Sequence, residues 1–222
     1  MNKNKGESLV SIPAGTVELE GVLELAPDPI GFVIFSHGSG SGRNSPRNRF
    51  VAAELRGAGL GTLLLDLLTA EEDRDYEKRF DIDLLTVRLE HAVSFLLNHP
   101  NTRALPVGLF GASTGAASAL RVAARLPEAV GAVVSRGGRP DLTGGKALAQ
   151  VRAPTLLIVG GLDDGVIELN EAARDGLVNC DCELEIVPGA THLFEEPGTL
   201  KEVARLATRW FSNHLRVRAA SA

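Results

Sequence analysis

The stretch Pro106-Val-Gly-Leu-Phe-Gly-Ala-Ser-Thr-Gly115 joins an apolar run to the helix-forming segment Ala116-Ala-Ser-Ala-Leu120. This pattern predicts a strand, a sharp turn and a helix, with Ser113 in the turn. Such a turn holds its serine in a strained conformation that exposes the hydroxyl, and very small flanking residues let strand and helix pack closely. Because the chain contains 24 glycines, the motif alone is equally compatible with an ordinary glycine- and serine-rich turn. Its meaning depends on the residues that accompany it.

Two histidines follow Ser113, and one of them is suited to act as its base. A serine hydroxyl is a poor nucleophile at neutral pH and needs a general base, which in turn needs an acid partner. In enzymes that carry this turn, the acid and the histidine follow the nucleophile in the chain. His214 lies in a polar helical stretch typical of a solvated surface. His192 lies in a Pro/Gly-containing loop, Val187–Phe194, after a strand-like segment, where a general base is expected.

The candidate acid is the first carboxylate after a strongly apolar run. Thr155–Val159 is typical of a buried strand, and Asp163 follows it closely. Asp164 is the alternative acid, and a turn-capping role is the alternative for Asp163. Fifty residues separate Ser113 from Asp163 and 29 separate Asp163 from His192, which leaves room for intervening strands and helices. We therefore predict a catalytic triad of Ser113, Asp163 and His192.

The predicted oxyanion hole consists of two backbone N–H groups. In this kind of site one comes from the residue after the nucleophile, here Thr114, and the other from an earlier strand–helix loop. That loop is Ser36–Gly42, and Ser39 is the expected donor. The loop matches neither the dinucleotide pattern nor a P-loop, which argues against a phosphate cradle. His37 precedes the nucleophile and is interpreted as a structural histidine.

The chain resembles α/β-hydrolases of the dienelactone hydrolase-like group. The resemblance covers about residues 8–213. It is especially close to bacterial hydrolase domains that are sometimes fused to a phosphoribosyltransferase. The stretches that carry it are Phe35–Gly40, Ser45–Arg49, Gly111–Gly115, Ser135–Pro140, Gly160–Val166 and Pro188–Phe194.

The resemblance and the triad together imply a serine hydrolase that cleaves small carboxylic esters or lactones through an acyl-enzyme, without a metal or organic cofactor. Dienelactone hydrolases proper use a cysteine nucleophile, so Ser113 points to a more general ester or acyl hydrolase. A thioesterase or peptidase with the same triad is one alternative, and a non-catalytic binding or receptor protein on this scaffold is another. Leu162-Asp-Asp-Gly165 is similar to the acidic start of a phosphoribosyl-pyrophosphate loop. The residues after it lack the Thr/Gly-rich turn that binds the phosphate, which argues against a transferase.

Apolar runs alternate with segments of helical period along the chain, which predicts an α/β-hydrolase fold with about eight mostly parallel strands and helices on both faces. A hairpin over Val10–Leu25 is expected to supply two antiparallel strands. The length suits one domain over residues 1–222. Further strands are predicted at Phe32–Ser36, Thr62–Asp66, Pro106–Phe110, Val130–Ser135, Thr155–Val159 and around Leu184, and helices at Arg47–Gly57, Ile82–Asn98, after Ser113, near Gly145, over Val166–Leu177 and from Pro197.

The longest irregular stretch, Leu67–Asp81, is rich in charged residues. A solvated loop or short exposed helix is the favoured interpretation, with a small lid as the alternative. No other large insertion is present, so we expect an open site with a minimal lid or none.

Several arginines are expected near the carboxyl edge of the sheet, where open α/β folds bind ligands. Guanidinium groups bind carboxylates or phosphates in bidentate fashion. Arg136 and Arg43 are therefore candidates to hold an anionic group of the substrate. The alternative is that arginines here are solvated or pair with acids such as Asp66 and Asp141.

Composition limits location and partners. The formal charge of −5 argues against a general nucleic-acid surface. The N-terminus lacks a signal-peptide stretch and no segment approaches 18 uninterrupted apolar residues, so we expect a cytoplasmic protein without membrane contact, as a monomer or homodimer. Cys180 and Cys182 stand too close for an unstrained disulfide and lack the further ligands of a zinc site, which indicates reduced, structural thiols.

Overall fold

A central sheet of eight strands organises the protein, whose computed structural model describes residues 7–215. The strands stand in the order β1-β2-β4-β3-β5-β6-β7-β8. β1 pairs with β2, and β2 with β4, in antiparallel fashion, while all the other pairings are parallel. The strands are β1 Glu7–Ala14, β2 Val17–Glu24, β3 Gly31–Ser36, β4 Leu60–Leu65, β5 Val107–Ala112, β6 Val130–Arg136, β7 Thr155–Gly160 and β8 Cys182–Val187.

Helices cover both faces of this sheet, which confirms the predicted α/β-hydrolase architecture. α1 and α6 pack on one face around Phe35, Phe110 and Trp210. α2 and α3 pack on the other face. Within residues 7–215, no helix combines the length and the apolar character needed to cross a membrane. The helices are α1 Pro46–Gly57, α2 Ile82–Asn98, α3 Thr114–Arg125, α4 Gly145–Leu148, α5 Asp164–Gly176 and α6 Thr199–His214.

Some element ends differ from the predictions for local reasons. β5 continues two residues beyond Phe110, so that the strand leads directly into Ser113. α5 begins at Asp164 rather than Val166 because Asp163 already occupies the N-cap position. α6 begins at Thr199 rather than Pro197, since Gly198 before it has a left-handed backbone with φ of 86°.

The charged segment between β4 and α2 forms an exposed loop with two single 3₁₀ turns, at Glu72–Arg74 and Lys78–Phe80. Two ion pairs tie its charged residues to one another and to α2. Arg79 contacts Asp73 at 3.1 Å, and Arg88 of α2 reaches Glu72 at 2.8 Å. These pairs fix the loop beside β4 as a surface feature, which agrees with the interpretation as a solvated loop.

Candidate active site

Ser113 occupies a strained turn between β5 and α3. Its φ of 50° and ψ of −122° are unusual for a residue with a side chain. The N–H of Ser113 donates to the carbonyl of Arg136 at 3.2 Å, and its own carbonyl accepts from the N–H of Arg139 at 3.0 Å. These bonds hold the strained backbone, which costs of order 1–3 kcal/mol and is typical of functional sites.

The glycines on either side of Ser113 are required by close packing. A Cβ on Gly111 would lie 2.7 Å from the carbonyl oxygen of Gly115. A Cβ on Gly115 would overlap the carbonyl oxygen of Ser36 and lie 2.6 Å from that of His37. Both obstacles are backbone atoms, which cannot rotate away. The motif is therefore the tight strand–turn–helix that the sequence predicts.

A buried pair of hydroxyl groups stabilises this turn. The sequence did not predict this pair. Ser36 at the end of β3 and Ser118 in α3 lie 2.8 Å apart, and both are fully buried. Ser118 also donates to the carbonyl of Gly115 at 3.0 Å. Their 82-residue separation left no local signal.

Asp163 and His192 form a direct hydrogen bond, with 2.7 Å between Asp163 Oδ2 and His192 Nδ1. Asp163 stands at the N-cap of α5 but makes no side-chain cap bond, so its carboxylate is available to the histidine. Asp164 is exposed in the first turn of α5 and makes no contact with His192. Of the two acids considered, the structure brings Asp163 to the histidine.

The loop that carries His192 is fixed on both sides. Thr191 donates to the carboxylate of Glu196 through its hydroxyl at 2.6 Å and its N–H at 3.1 Å. The hydroxyl bond from Thr191 is the main reason why the pKa of Glu196 is lowered. Phe194 is 1% exposed and has a φ of 55°, a second strained residue in the site.

Ser113 and His192 both lie against the turn Arg136–Arg139. The backbone of Ser113 forms the two hydrogen bonds described above with this turn. A Cβ at Gly137 would lie 3.5 Å from Nδ1 of His192. The side chain of His192 is 36% exposed, so its ring also reaches solvent. Within the described part of the chain the Ser113 hydroxyl forms no hydrogen bond, to His192 or otherwise. Catalytic hydrogen bonds of this kind are often long before substrate binds.

The two predicted oxyanion donors are adjacent. The N–H of Ser39 donates to the hydroxyl of Thr114 at 3.1 Å. The N–H of Thr114 belongs to the first turn of α3 and lacks an intrahelical acceptor. A Cβ at Gly38 would lie 3.0 Å from Cβ of Ser113, so this loop lies directly against the candidate nucleophile.

His37 holds in place the oxyanion loop, Ser36–Gly42, which contains the predicted oxyanion donor Ser39. Its Nε2 accepts the N–H of Leu67 at 2.9 Å, so the proton is on Nδ1, which donates to the carbonyl of Gly38 at 2.9 Å. Burial lowers the pKa of His37 and favours this neutral form. These contacts agree with the interpretation of His37 as a structural histidine.

The arginines differ sharply in their partners. Arg43 contacts both Asp66 and Glu20, the latter at 2.6 Å. Together with Glu18 and Asp73 these acids line a cavity of about 420 Å³ beside the oxyanion loop. The charge of Arg43 is therefore already matched, which weakens its case as an anion-binding residue.

Arg139 and Arg136 represent the two expectations for the arginines, pairing with an acid and availability for a ligand. Arg139 forms a double hydrogen bond with Asp141, at 2.9 and 2.7 Å. Arg136 is 7% exposed and pairs with no carboxylate within residues 7–215. Its guanidinium carbon lies 5.9 Å from the centre of the Phe194 ring. Arg136 is thus the arginine that is available for a ligand.

Between Glu7 and Leu215, no group of three or more His, Cys, Asp or Glu residues is arranged to hold a metal ion.

The family model "Dienelactone hydrolase family" matches residues 68–216. Two strains of Mycobacterium tuberculosis carry a protein named "Putative phosphoribosyl transferase" that is 56% identical over 206 residues. The match covers 93% of this chain and 46% of those proteins, so the chain spans about half the length of these relatives.

Solved structures show the same fold. The crystal structure of a dienelactone hydrolase from Anabaena variabilis is 54% identical, with a TM-score of 0.91, and the match covers 95% of this chain and 98% of that one. A carboxyl esterase from the fungus Tuber melanosporum is 17% identical with a TM-score of 0.75, covering 95% of this chain and 87% of that one. This second likeness supports the fold alone.

Proposed function

Since the chain belongs to the dienelactone hydrolase family, we propose that it is a serine hydrolase that cleaves small carboxylic esters or lactones through an acyl-enzyme. The observation that carries the proposal is the 2.7 Å bond between Asp163 and His192 beside the strained turn of Ser113. These three groups have the chemistry of nucleophile, base and acid, and they follow the chain order of the fold. The proposal includes the specificity for carboxylic esters and the roles of Ser113, His192 and Asp163.

In the first half-reaction, Ser113 Oγ attacks the acyl carbon while Nε2 of His192 takes the hydroxyl proton. Asp163 accepts the Nδ1–H of His192 and stabilises the imidazolium that forms. The carbonyl π electrons move to oxygen, and the C–O bond to the leaving alcohol then breaks as His192 returns its proton to that alcohol. In the second half, water attacks the acyl carbon, His192 again takes the proton, and the carboxylic acid leaves as Ser113 regains its proton.

The oxyanion of both tetrahedral intermediates is assigned to the N–H groups of Thr114 and Ser39. The N–H of Ser39 already donates to the hydroxyl of Thr114, which fixes the direction of this donor. A substrate oxygen that binds between the two residues replaces that hydroxyl as the acceptor. Loss of one such donor typically costs about 3 kcal/mol of transition-state stabilisation.

Matched acetyl substrates test the proposal and separate its alternatives. We expect hydrolysis of an aryl acetate by the wild type, and a loss of about 10³-fold or more in kcat for Ser113→Ala. Asp164→Asn is the control, because its exposed carboxylate makes no contact with His192. Equal activity in the wild type and Ser113→Ala would overturn the proposed nucleophile. A higher kcat/KM for the matched thioester or anilide would support the thioesterase or peptidase alternative instead.

The transferase named in the mycobacterial relatives is not proposed for this chain. The acidic pair that resembles a phosphoribosyl-pyrophosphate loop has other contacts, since Asp163 pairs with His192 and Asp164 begins α5. The matched segment is also less than half of those relatives.

We further propose that the protein works in the cytoplasm as a monomer or homodimer, with reduced cysteines. Cys180 and Cys182 are free. Burial raises the pKa of both thiols, to about 12 for Cys182, which suits thiols that are poor nucleophiles. Light scattering coupled to gel filtration tests the assembly, and a species larger than a dimer would contradict it.

A further inference from the structure

Arg136 is a buried cation without a counter-ion in the described chain. The residue is 7% exposed, yet no carboxylate lies within 4 Å of its nitrogens among residues 7–215, and its guanidinium lies over the ring of Phe194. Burial, with repulsion from Arg47, lowers the pKa of Arg136 to about 10. An unpaired buried charge destabilises a fold, so its presence beside a candidate active site indicates a ligand that supplies the missing charge.

The guanidinium of Arg136 is not sealed off. The fully enclosed polar atoms that lack a partner include Nε of Arg47 but no nitrogen of Arg136. Since no hydrogen bond from these nitrogens is found among residues 7–215, each of them keeps some accessible surface. A ligand that enters the site can therefore reach it.

Arg47 is a second guanidinium near Arg136, because it reaches Glu195, the residue after Phe194, whose ring faces the guanidinium of Arg136. Repulsion from Arg47 agrees with this placement, since it contributes to the lowered pKa of Arg136. Nη1 of Arg47 reaches Glu195 at 3.1 Å, but that carboxylate is 63% exposed and stands at the rim. The buried Nε of Arg47 has no acceptor in the part of the chain that the structure describes.

Arg47 also belongs to the first turn of α1, a helix of 12 residues. The first N–H groups of a helix lack intrahelical acceptors and carry about half a positive charge. This first turn contains no acidic residue. Pro46 at the start of α1 has no N–H, and the N–H of Asn48 donates to Oγ of Ser45 at 3.4 Å, so the helix end contributes its positive potential and the N–H of Arg47.

This cluster lies next to the candidate triad. The carbonyl of Arg136 accepts the N–H of Ser113 at 3.2 Å, and the ring of Phe194 under its guanidinium is two residues from His192. We propose that Arg136, Arg47 and the N-terminus of α1 hold a phosphate group carried by the ester or lactone substrate. The inference rests on the proposed hydrolase function and names the substrate class of that site.

The charge balance favours a phosphate over a carboxylate. Arg136 contributes a full positive charge without a counter-ion among residues 7–215, and the end of α1 contributes about half a positive charge. Arg47 adds a positive charge that is paired with the exposed carboxylate of Glu195. A phosphate monoester carries about −1.5 to −2 at pH 7, whereas a carboxylate carries only one negative charge. Three phosphate oxygens can also accept from two guanidiniums and a helix end together.

Three acetates that differ only in the group on the alcohol test the assignment: ethyl acetate, 2-carboxyethyl acetate and 2-phosphoethyl acetate. We expect wild-type kcat/KM for the phosphate ester to exceed that for ethyl acetate by about tenfold or more. In Arg136→Met this ratio falls towards one. Arg139→Met is the matched control, because Arg139 is bound to Asp141, and it keeps the wild-type ratio.

Calorimetric titration with inorganic phosphate gives a readout that does not need turnover. Phosphate binding to the wild type and to Arg139→Met, with loss of binding in Arg136→Met, supports the site. This holds even if none of the three acetates is hydrolysed; that lack of hydrolysis would contradict the proposed function and not the site. Turnover with a ratio near one and no phosphate binding overturns the inference and leaves the hydrolase function intact. A preference for the carboxylate ester overturns the assignment of phosphate.

Discussion

Replacement of Arg136 by methionine is expected to stabilise the fold, although it removes a residue of the proposed phosphate site. Burial and repulsion from Arg47 bring the pKa of Arg136 down to about 10. A depression of that size corresponds to about 3 kcal/mol by which the folded protein disfavours the charged guanidinium. Methionine keeps most of the apolar length without the charge.

The net gain is smaller than this figure because the contact with Phe194 is lost. We expect the free energy of unfolding to rise by about 1–3 kcal/mol at pH 7. For a protein of this size that increase corresponds to a Tm higher by about 2–12 °C. Urea unfolding and calorimetry in phosphate-free buffer measure both quantities.

Arg139→Met is the control, since Arg139 pairs with Asp141 near the surface and its removal should change the stability by less than about 1 kcal/mol. The pH dependence provides a second check. Because the pKa of Arg136 is lower in the folded state, the unfolded state binds more protons above pH 10, so wild-type stability gains there and the gap to the variant narrows. A variant that unfolds more easily than the wild type at pH 7 would refute the claim that this charge is uncompensated.

Three further substitutions test individual contacts. Asp163→Asn is expected to lower kcat for an aryl acetate by about 10³–10⁴-fold, and an equal loss in Asp164→Asn would contradict the assignment of the acid. Gly115→Ala is expected to lower the free energy of unfolding by about 3 kcal/mol or more, because its Cβ meets backbone oxygens; Gly57→Ala, with no atom within 4 Å, should be neutral or stabilising by up to about 1 kcal/mol. The lowered pKa of His37 makes the unfolded state bind more protons as the pH falls through 6.5, so the wild type loses stability there and His37→Gln should show a weaker pH dependence in urea unfolding.

Much of the fold was accessible from the sequence because its signals are local. The apolar runs and the helical periods identified the strands and helices, and the hairpin at the N-terminus was recognised as antiparallel. The glycines on either side of Ser113 indicated a tight turn, because few other residues fit between the strand and the helix. The pairing of His192 with Asp163 followed from their positions after successive strands, since the carboxyl ends of parallel strands meet at one edge.

The partners of the arginines depended on the order of strands in space. Asp66 is a partner of Arg43 that the sequence already suggests, whereas Arg43 reaches Glu20 because β2 lies beside β4 in the sheet, which no local pattern reveals. Arg136 has no such acidic neighbour among residues 7–215. Strand order therefore decided which guanidinium was neutralised and which remained available.

Reaction of the purified protein with a fluorophosphonate, followed by intact mass and peptide mapping, tests most directly whether Ser113 is a nucleophile activated by His192. We expect one label per chain on the peptide that contains Ser113, in the wild type and in Asp164→Asn. We expect almost no label in His192→Ala, because the hydroxyl then lacks its base. An unlabelled wild type, or labelling that is unchanged in His192→Ala, would contradict the proposed triad.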